Sequence, residues 1–195
     1  MTAGNSATGY ALAALARRRS TPVIARVRSK AAQDRLRQLG VEHAVNITDD
    51  GFESALGSMA SEVGATAVFD GVGGDLVTRI APVLPMNSTI YFYGFLSAAT
   101  LVSFPPSVFM TRNLVLKRFS NFDSATAKDG DRFITAMSAL QGCIEDPLFR
   151  TRIGKEFRLD QIDEAMAYEN RPGAKAVSSP DGLGEAKGNR NGYRA

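Results

Sequence analysis

The sequence predicts an α/β fold with a doubly wound parallel sheet. Short β-branched or aromatic runs alternate with helical patterns along most of the 195 residues. Glycines stand where many of these segments end, and residues 4–9 have the spacing of a phosphate-binding turn that opens a helix. Strands that alternate with helices are typical of βαβ units, in which successive strands lie parallel.

The first element is the turn Gly4-x-Ser6-x-x-Gly9, which keeps the outer glycines of the G-x-G-x-x-G pattern and has Ser6 at the second position. The free amides of a first helical turn can hold a pyrophosphate, and the Ser6 and Thr8 hydroxyls can add donors. An Ala-rich helix follows and ends at Arg17–Arg19, where the helix dipole favours cations. We therefore predict that the pyrophosphate contacts are made by Gly4, Asn5, Ser6, Ala7 and Thr8.

The strand that normally leads into such a turn is almost missing from this sequence, because only Met1–Ala3 precede Gly4. In the strand order 3-2-1-4-5-6 this first strand lies at the centre of the sheet. We therefore expect a truncated first strand with at most one or two ladder bonds, and a cleft in the middle of the sheet. An isolated chain of this kind is expected to have marginal stability.

The remaining elements follow in alternation. Strands are predicted at 22–27, 43–47, 66–70, 88–93 and 114–119, and helices at 30–39, 52–63, 75–84, near 105–106 and at 129–145. A short strand at 153–157, a helix capped by Asp160 and a strand at 174–177 complete the series. Residues 1–177 are thus expected to form one domain that lacks its first strand. Residues 178–195, rich in Gly, Asn and charge, are expected to be a disordered tail.

Composition excludes several classes of function. The net charge of +3 is small, and no dense basic face with interleaved aromatics is visible, so nucleic-acid binding is not expected. No apolar run is long enough for a membrane span. The single cysteine, Cys143, rules out an intramolecular disulfide and suits a reducing cytoplasm.

The residues after the strand predicted at 22–27, which is the second strand when the truncated one is counted, indicate which dinucleotide is bound. NAD-binding sites place an Asp or Glu there, whereas an Arg accommodates the 2′-phosphate of NADP. This chain has Arg28, Ser29 and Lys30 at that point and no acidic residue until Asp34, which favours NADP(H). The alternative is that Arg28 and Lys30 are only a solvated pair at the start of a helix.

The turns after the strands predicted at 66–70 and 88–93 are predicted to flank the ribose and nicotinamide. Ligands of open α/β sheets bind outside the carboxyl ends of the strands. The predicted contacts there are Val72, Gly73, Phe95 and Leu96. The alternative is that the glycines in these segments serve tight turns only.

The order of these motifs resembles the cofactor-binding half of the medium-chain dehydrogenase/reductase superfamily, in its zinc-independent quinone-reductase-like branch. The resemblance covers about residues 2–177 and is carried by eight segments, namely 2–9, 38–46, 69–74, 93–97, 117–122, 154–157, 162–166 and 173–177. It implies a Rossmann-type fold and an NADPH-dependent oxidoreductase that transfers hydride to an activated C=C bond or a quinone, with a small molecule as substrate. It also implies that Phe119 and Asn121 lie near the cofactor.

The same resemblance implies what this sequence lacks. Family members normally begin with a separate substrate domain, and without one no catalytic residue can be named here. One His and one Cys cannot build a Cys/His zinc site, so no metal is expected.

Relatives pair the edge strand, here 114–119, between two subunits, which predicts a homodimer. The alternative function is a catalytically inactive nucleotide-binding module or a truncated fragment.

Overall fold

The computed structural model describes residues 1–99, 101–150, 152–169 and 174–180, and the chain divides into two compact units, Met1–Arg150 and Thr151–Ala195. Helices and strands alternate through the first unit, as the sequence predicts. They are α1 (Ala7–Arg18), β1 (Ile24–Val27), α2 (Lys30–Gln38), β2 (His43–Asn46), α3 (Phe52–Glu62), β3 (Ala67–Asp70), α4 (Asp75–Ile80), β4 (Thr89–Phe92), α5 (Pro106–Arg112), β5 (Val115–Arg118), α6 (Ala125–Lys128) and α7 (Gly130–Gln141).

The strands of the first unit are parallel and fall into two sets. One set is the pair β1–β2, and the other is β3–β4–β5, in which β4 lies in the middle. Met1 and Thr2 lie between the sets, because they hydrogen-bond to both β1 and β3. The first residues of the chain therefore occupy the central position that the sequence assigns to the first strand.

The central position carries more hydrogen bonds than the one or two expected. On the β1 side, the Met1 amine donates to the Ile24 carbonyl (2.7 Å), the Arg26 amide donates to the Met1 carbonyl (3.1 Å) and the Gly4 amide donates to the Arg26 carbonyl (2.8 Å). On the β3 side, the Thr2 amide donates to the Phe69 carbonyl (3.0 Å). The expectation was too low because a central strand uses both of its edges, so even two residues can bond to two neighbours.

Helices cover both faces of the sheet. Ala25, Val27 and Ala44 pack with α1 and α2 on one face, whereas Ile24 and Val45 pack with α3 and α4 on the other. This alternation follows from the two-residue period of a strand. The doubly wound class is therefore confirmed.

Helix ends in the first unit mostly follow the sequence signals. Gly40 and Gly64 follow the helices predicted at 30–39 and 52–63, and their φ values of +83° and +62° give the left-handed conformation that ends a helix. The helix predicted at 129–145 ends earlier, at Gln141, where the Gly142 amide bonds to the Ser138 carbonyl. Cys143 lies just beyond this helix and is buried.

The second unit contains β6 (Arg152–Arg158), α8 (Ile162–Ala167) and β7 (Ala174–Ser179), and the two strands pair in parallel. The prediction that Asp160 caps a helix was wrong, because Asp160 lies inside a 3₁₀ turn, Leu159–Gln161, that precedes α8. Ser178 and Ser179, which we assigned to the tail, belong to β7. They pair with Phe157 and Arg158, and backbone pairing does not depend on polar side chains. The rest of the expected tail, 181–195, lies outside the described residues.

Among the described residues, every helix is too short or too polar to cross a bilayer.

Candidate cofactor-binding site

The turn between the first residues and α1 leaves donors exposed for a ligand. Ser6 is the N-cap of α1, and its hydroxyl oxygen accepts a hydrogen bond from the Gly9 amide at 3.0 Å. The Ser6 amide donates to the Ala3 carbonyl, whereas the amides of Asn5, Ala7 and Thr8 have no acceptor within the described residues. Three unpaired amides beside the positive end of a helix dipole are suited to an anion.

The two glycines of the turn are required by close packing. A Cβ added at Gly9 would lie 2.5 Å from the Ala3 carbonyl oxygen, and one added at Gly4 would lie 2.9 Å from the Arg26 carbonyl oxygen. Both distances are shorter than real Cβ contacts, so any side chain would push the turn away from β1 or from the start of α1. The close packing of this turn therefore explains why glycine occupies both positions.

The three candidate residues after β1 differ in whether their side chains already have partners within the protein. Ser29 is the N-cap of α2 and accepts from the Ala32 amide at 3.3 Å. The Lys30 ammonium lies 3.2 Å from an Asp34 carboxylate oxygen, so its charge is partly occupied along the helix. Arg28 is exposed and makes no ion pair with any described residue. Of the two cations predicted here, Arg28 is the more available.

The turns after β3 and β4 are joined by backbone hydrogen bonds. The Leu96 amide donates to the Gly71 carbonyl (3.0 Å), and the Ser97 amide donates to the Val72 carbonyl (2.9 Å). Asp70 is fully buried, and its carboxylate accepts from the Gly73 amide at 2.7 Å. Phe95 and Leu96 are 90% and 75% exposed, so both side chains lie open at this end of the sheet.

A cavity of about 420 Å³ lies at the carboxyl ends of β3, β4 and β5. It brings together three of the predicted residues, because Thr8, Phe119 and Asn121 all line it. Tyr93, which the sequence analysis did not select, lines it too, and its hydroxyl is enclosed without a hydrogen-bond partner among the residues that the structure describes. Burial, together with the negative charge of Asp70, raises the pKa of the Tyr93 phenol. The sequence signal that could have found Tyr93 is its position at the carboxyl end of the strand predicted at 88–93.

A second cavity, of about 320 Å³, lies at the opposite ends of β1 and β2. Its lining includes Arg17, Gly40 and His43 and none of the predicted cofactor-binding residues. The predicted residues all follow the carboxyl ends of strands, so they share one edge of the sheet and this cavity lies at the other. Their roles in binding remain predictions.

No group of three or more His, Cys, Asp or Glu side chains is arranged to hold a metal ion in the part of the chain that the structure describes. We therefore name no metal ligand.

Known structures share this fold. The chain superposes on a candidate NADPH:quinone reductase from Mesorhizobium loti with a TM-score of 0.76 and 19% identity, over 92% of this chain and 52% of that one. It superposes on 2-haloacrylate reductase with a TM-score of 0.75 and 18% identity, over 92% and 56% of the two chains. CurA from Vibrio vulnificus, solved in complex with NADPH, gives 0.67 and 17% identity over 91% and 55%. The chain thus spans about half the length of these proteins.

Sequence comparison identifies the family. None of the curated proteins is similar enough to this chain to match it. The family model described as zinc-binding dehydrogenase matches residues 7–140, which include α1 and the elements from β1 to β5. With that match and the fold shared with these reductases, the chain belongs to the zinc-binding dehydrogenase family, within the medium-chain dehydrogenase/reductase superfamily.

Proposed function

We propose that this chain is the cofactor-binding portion of an NADPH-dependent oxidoreductase that transfers hydride to an activated C=C bond or a quinone. The observation that carries the proposal is the turn into α1. Its glycines pack too closely for side chains, and the amides of Asn5, Ala7 and Thr8 have no acceptor in the described part of the chain. A turn of this shape at a helix N-terminus fits a pyrophosphate.

The proposed contacts extend along the carboxyl edge of the sheet. Arg28 would bind the 2′-phosphate, with Ser29 and Lys30 beside it. Val72, Gly73, Phe95 and Leu96 would lie toward the ribose and nicotinamide, together with Phe119 and Asn121. When bound, the nicotinamide supplies the hydride, and the protein's part is to hold and orient it. Two structures with this fold contain such a ligand, CurA with NADPH and Etr1p with NADP and crotonyl-CoA.

The choice of NADPH over NADH is tested by Arg28→Ala. We expect it to weaken NADPH binding by about 1.5–3 kcal/mol, the value of a hydrogen bond to a charged group, and to leave NADH nearly unchanged. Titration calorimetry with both nucleotides measures this. Arg35→Ala, which removes another exposed arginine from α2, is the matched control and should change neither affinity. Equal losses for NADPH and NADH would contradict the proposal.

The reaction itself needs a separate test, because the chain spans about half of each related reductase. NADPH oxidation by quinones or enoyl thioesters would support the reductase proposal. Binding of NADPH without any turnover would favour a nucleotide-binding module instead.

We propose that the substrate is a small molecule and that the chain has no role in binding nucleic acid or membranes. The single free cysteine is buried and suits a reducing compartment, for which we propose the cytoplasm.

We also propose a homodimer that forms through the strand at 114–119. In the described sheet, β5 pairs with β4 on one side and lies at the end of the strand order, so its other edge is open. An open edge can pair with the same strand of a second copy. Light scattering at micromolar concentration should give the mass of a dimer, and a clean monomer would count against the proposal.

A further inference from the structure

The strands β3, β4 and β5 carry packed helices on one face and an open surface on the other. On the packed face, Val68, Ile90 and Leu116 lie in an apolar cluster with residues of α4 and α5. The opposite face is the one on which α1 and α2 cover β1 and β2. Its residues on β3, β4 and β5 belong to none of the apolar clusters among the described residues. We call these six residues the open face: Ala67, Phe69, Thr89, Tyr91, Val115 and Lys117.

The open face is an ordered aromatic surface with one charge at its edge. None of its six residues is buried. Phe69, Tyr91 and Lys117 lie directly opposite one another on the three strands. The rings of Phe69 and Tyr91 stack with their centroids 5.4 Å apart, and Phe69 meets the ring of Phe119 edge-on at 5.9 Å. Lys117 is exposed and forms no ion pair with any described residue, so its charge is available to a partner.

The dimensions of the open face fit one helix. Parallel sheets occur almost only with helices on both faces, because an apolar strand face left in water is unfavourable. Strands lie about 4.8 Å apart, so the axes of β3 and β5 are separated by about 10 Å, which is close to the diameter of a helix. Leu12 of α1 lines the same cavity as Phe69, so α1 borders the open face on the β3 side. A helix placed there would lie beside α1 and above the three strands.

We propose that the open face is a docking surface for one amphipathic helix of a partner polypeptide. The apolar stripe of that helix would lie on Phe69 and Tyr91, and an acidic side chain would lie beside Lys117. Tyr91 is on the middle strand, and a large aromatic side chain at the centre of an interface contributes most of the binding energy. Lys117 lies on the outer strand, where its charge selects acidic partners over basic ones. The docking surface shares Phe69 with the cavity at the carboxyl ends of the strands and otherwise lies outside it.

The experiment uses the full chain and two fluorescent peptides of about 18 residues, long enough to form a helix. Both peptides have a leucine stripe on an alanine-rich helix, flanked by glutamates in one and by lysines in the other. Fluorescence anisotropy should show tighter binding of the glutamate peptide.

The variants test the two parts of the docking surface separately. Lys117→Glu should weaken binding of the glutamate peptide about three- to tenfold and strengthen binding of the lysine peptide. Tyr91→Thr, which keeps a strand-forming residue, should weaken binding of both peptides about tenfold or more. The matched controls are Arg35→Glu, at an exposed cation of α2, and Met110→Gln, at an exposed apolar residue of α5. Neither control should change the affinity for either peptide.

The outcomes that would overturn the proposal are distinct. Failure of the folded wild-type chain to bind either peptide would exclude a docking surface for a helix. Equal affinities for the two peptides, or an effect of Arg35→Glu as large as that of Lys117→Glu, would exclude selection by Lys117. If Tyr91→Thr does not unfold cooperatively in urea, the exposed substitution Lys117→Glu carries the test alone. A chain that binds neither peptide and whose dimer becomes a monomer in Tyr91→Thr by light scattering would have a second copy on the open face instead.

Discussion

The strands β1 and β3 flank the same central position of the sheet, yet they are built into the molecule very differently. All four residues of β1 are buried. In β3 only Asp70 is buried, whereas Ala67 is exposed and Val68 and Phe69 are intermediate. Along the central position, β1 shares three backbone hydrogen bonds with residues 1–4, whereas β3 shares one, from Thr2.

In this sheet, the strand with more hydrogen bonds to the first residues is also the more buried one. Where Met1 and Gly4 bond along β1, the strand is enclosed by α1 and α2 on one face and by α3 and α4 on the other. Where only Thr2 reaches β3, the strand keeps exposed surface. The proposed 2′-phosphate site lies at the end of β1 and the proposed nicotinamide site beyond β3. The more buried of the two strands therefore leads to the proposed 2′-phosphate site.

The largest expected effect comes from the amine of Met1, which is buried against β1. Burial, reinforced by the charge of Arg26 and opposed by Asp70, lowers the pKa of this amine from 8.0 to about 5. Between these values the unfolded chain binds more protons than the folded one, so stability rises with pH. Three pKa units correspond to about 4 kcal/mol. We expect the free energy of unfolding in urea to fall by about 3 kcal/mol from pH 8 to pH 5, because the amine is only half titrated at each end of this range.

The control for this prediction is N-terminal acetylation of protein in which mass spectrometry confirms Met1. An acetylated amide can still donate to the Ile24 carbonyl but cannot titrate. The pH dependence between 8 and 5 should then largely disappear. The carboxylates whose pKa values are held low, Glu53, Asp123 and Asp146, titrate below this window. An unchanged slope after acetylation would show that other groups cause it.

A matched pair of valines compares the two strands directly. Val27 in β1 is 2% exposed, whereas Val68 in β3 is partly exposed. Val27→Ala should cost about 2 kcal/mol, from lost burial and the cavity it leaves, and Val68→Ala about 1 kcal/mol or less. Urea unfolding of the two variants measures the difference. A cost at Val68 equal to that at Val27 would mean that β3 is as well packed as β1.

The sequence was sufficient for the order of elements and for placing the candidate residues at one common edge of the sheet. Glycines such as Gly40 and Gly64 mark helix ends because their backbone must turn left-handed, and this requirement is local. It was not sufficient for the pairing of Met1 and Thr2, for the burial of Arg26 or for the enclosed hydroxyl of Tyr93. Each of these depends on which segments meet in space, and the sequence around Arg26 gives no sign that two of its donors lack an acceptor among the described residues.

Helix α7 shows most clearly what the spacing of apolar residues cannot predict. Its helical spacing predicts an apolar face, and that face exists, but Phe133, Ile134 and Met137 are all exposed within the described structure. The spacing of apolar residues shows which side of a helix avoids water. It does not show which segment covers that side, because the covering residues can come from anywhere in a protein or its partners.

The smallest expected effect concerns Thr2, whose side chain joins the start of the chain to the turn after β3. Thr2 is 1% exposed, and its hydroxyl oxygen accepts from the Gly71 amide at 2.8 Å. Thr2→Val keeps nearly the same shape but leaves that amide unpaired, which should cost about 1 kcal/mol. Hydrogen exchange should show faster exchange of the Gly71 amide, with the amides of β1 unchanged. Thr2→Ser keeps the hydroxyl and should leave the exchange of Gly71 slow, even if the lost methyl costs some stability. Faster exchange along β1 as well would mean that the two halves of the sheet open together, and the contrast between β1 and β3 would then concern burial alone.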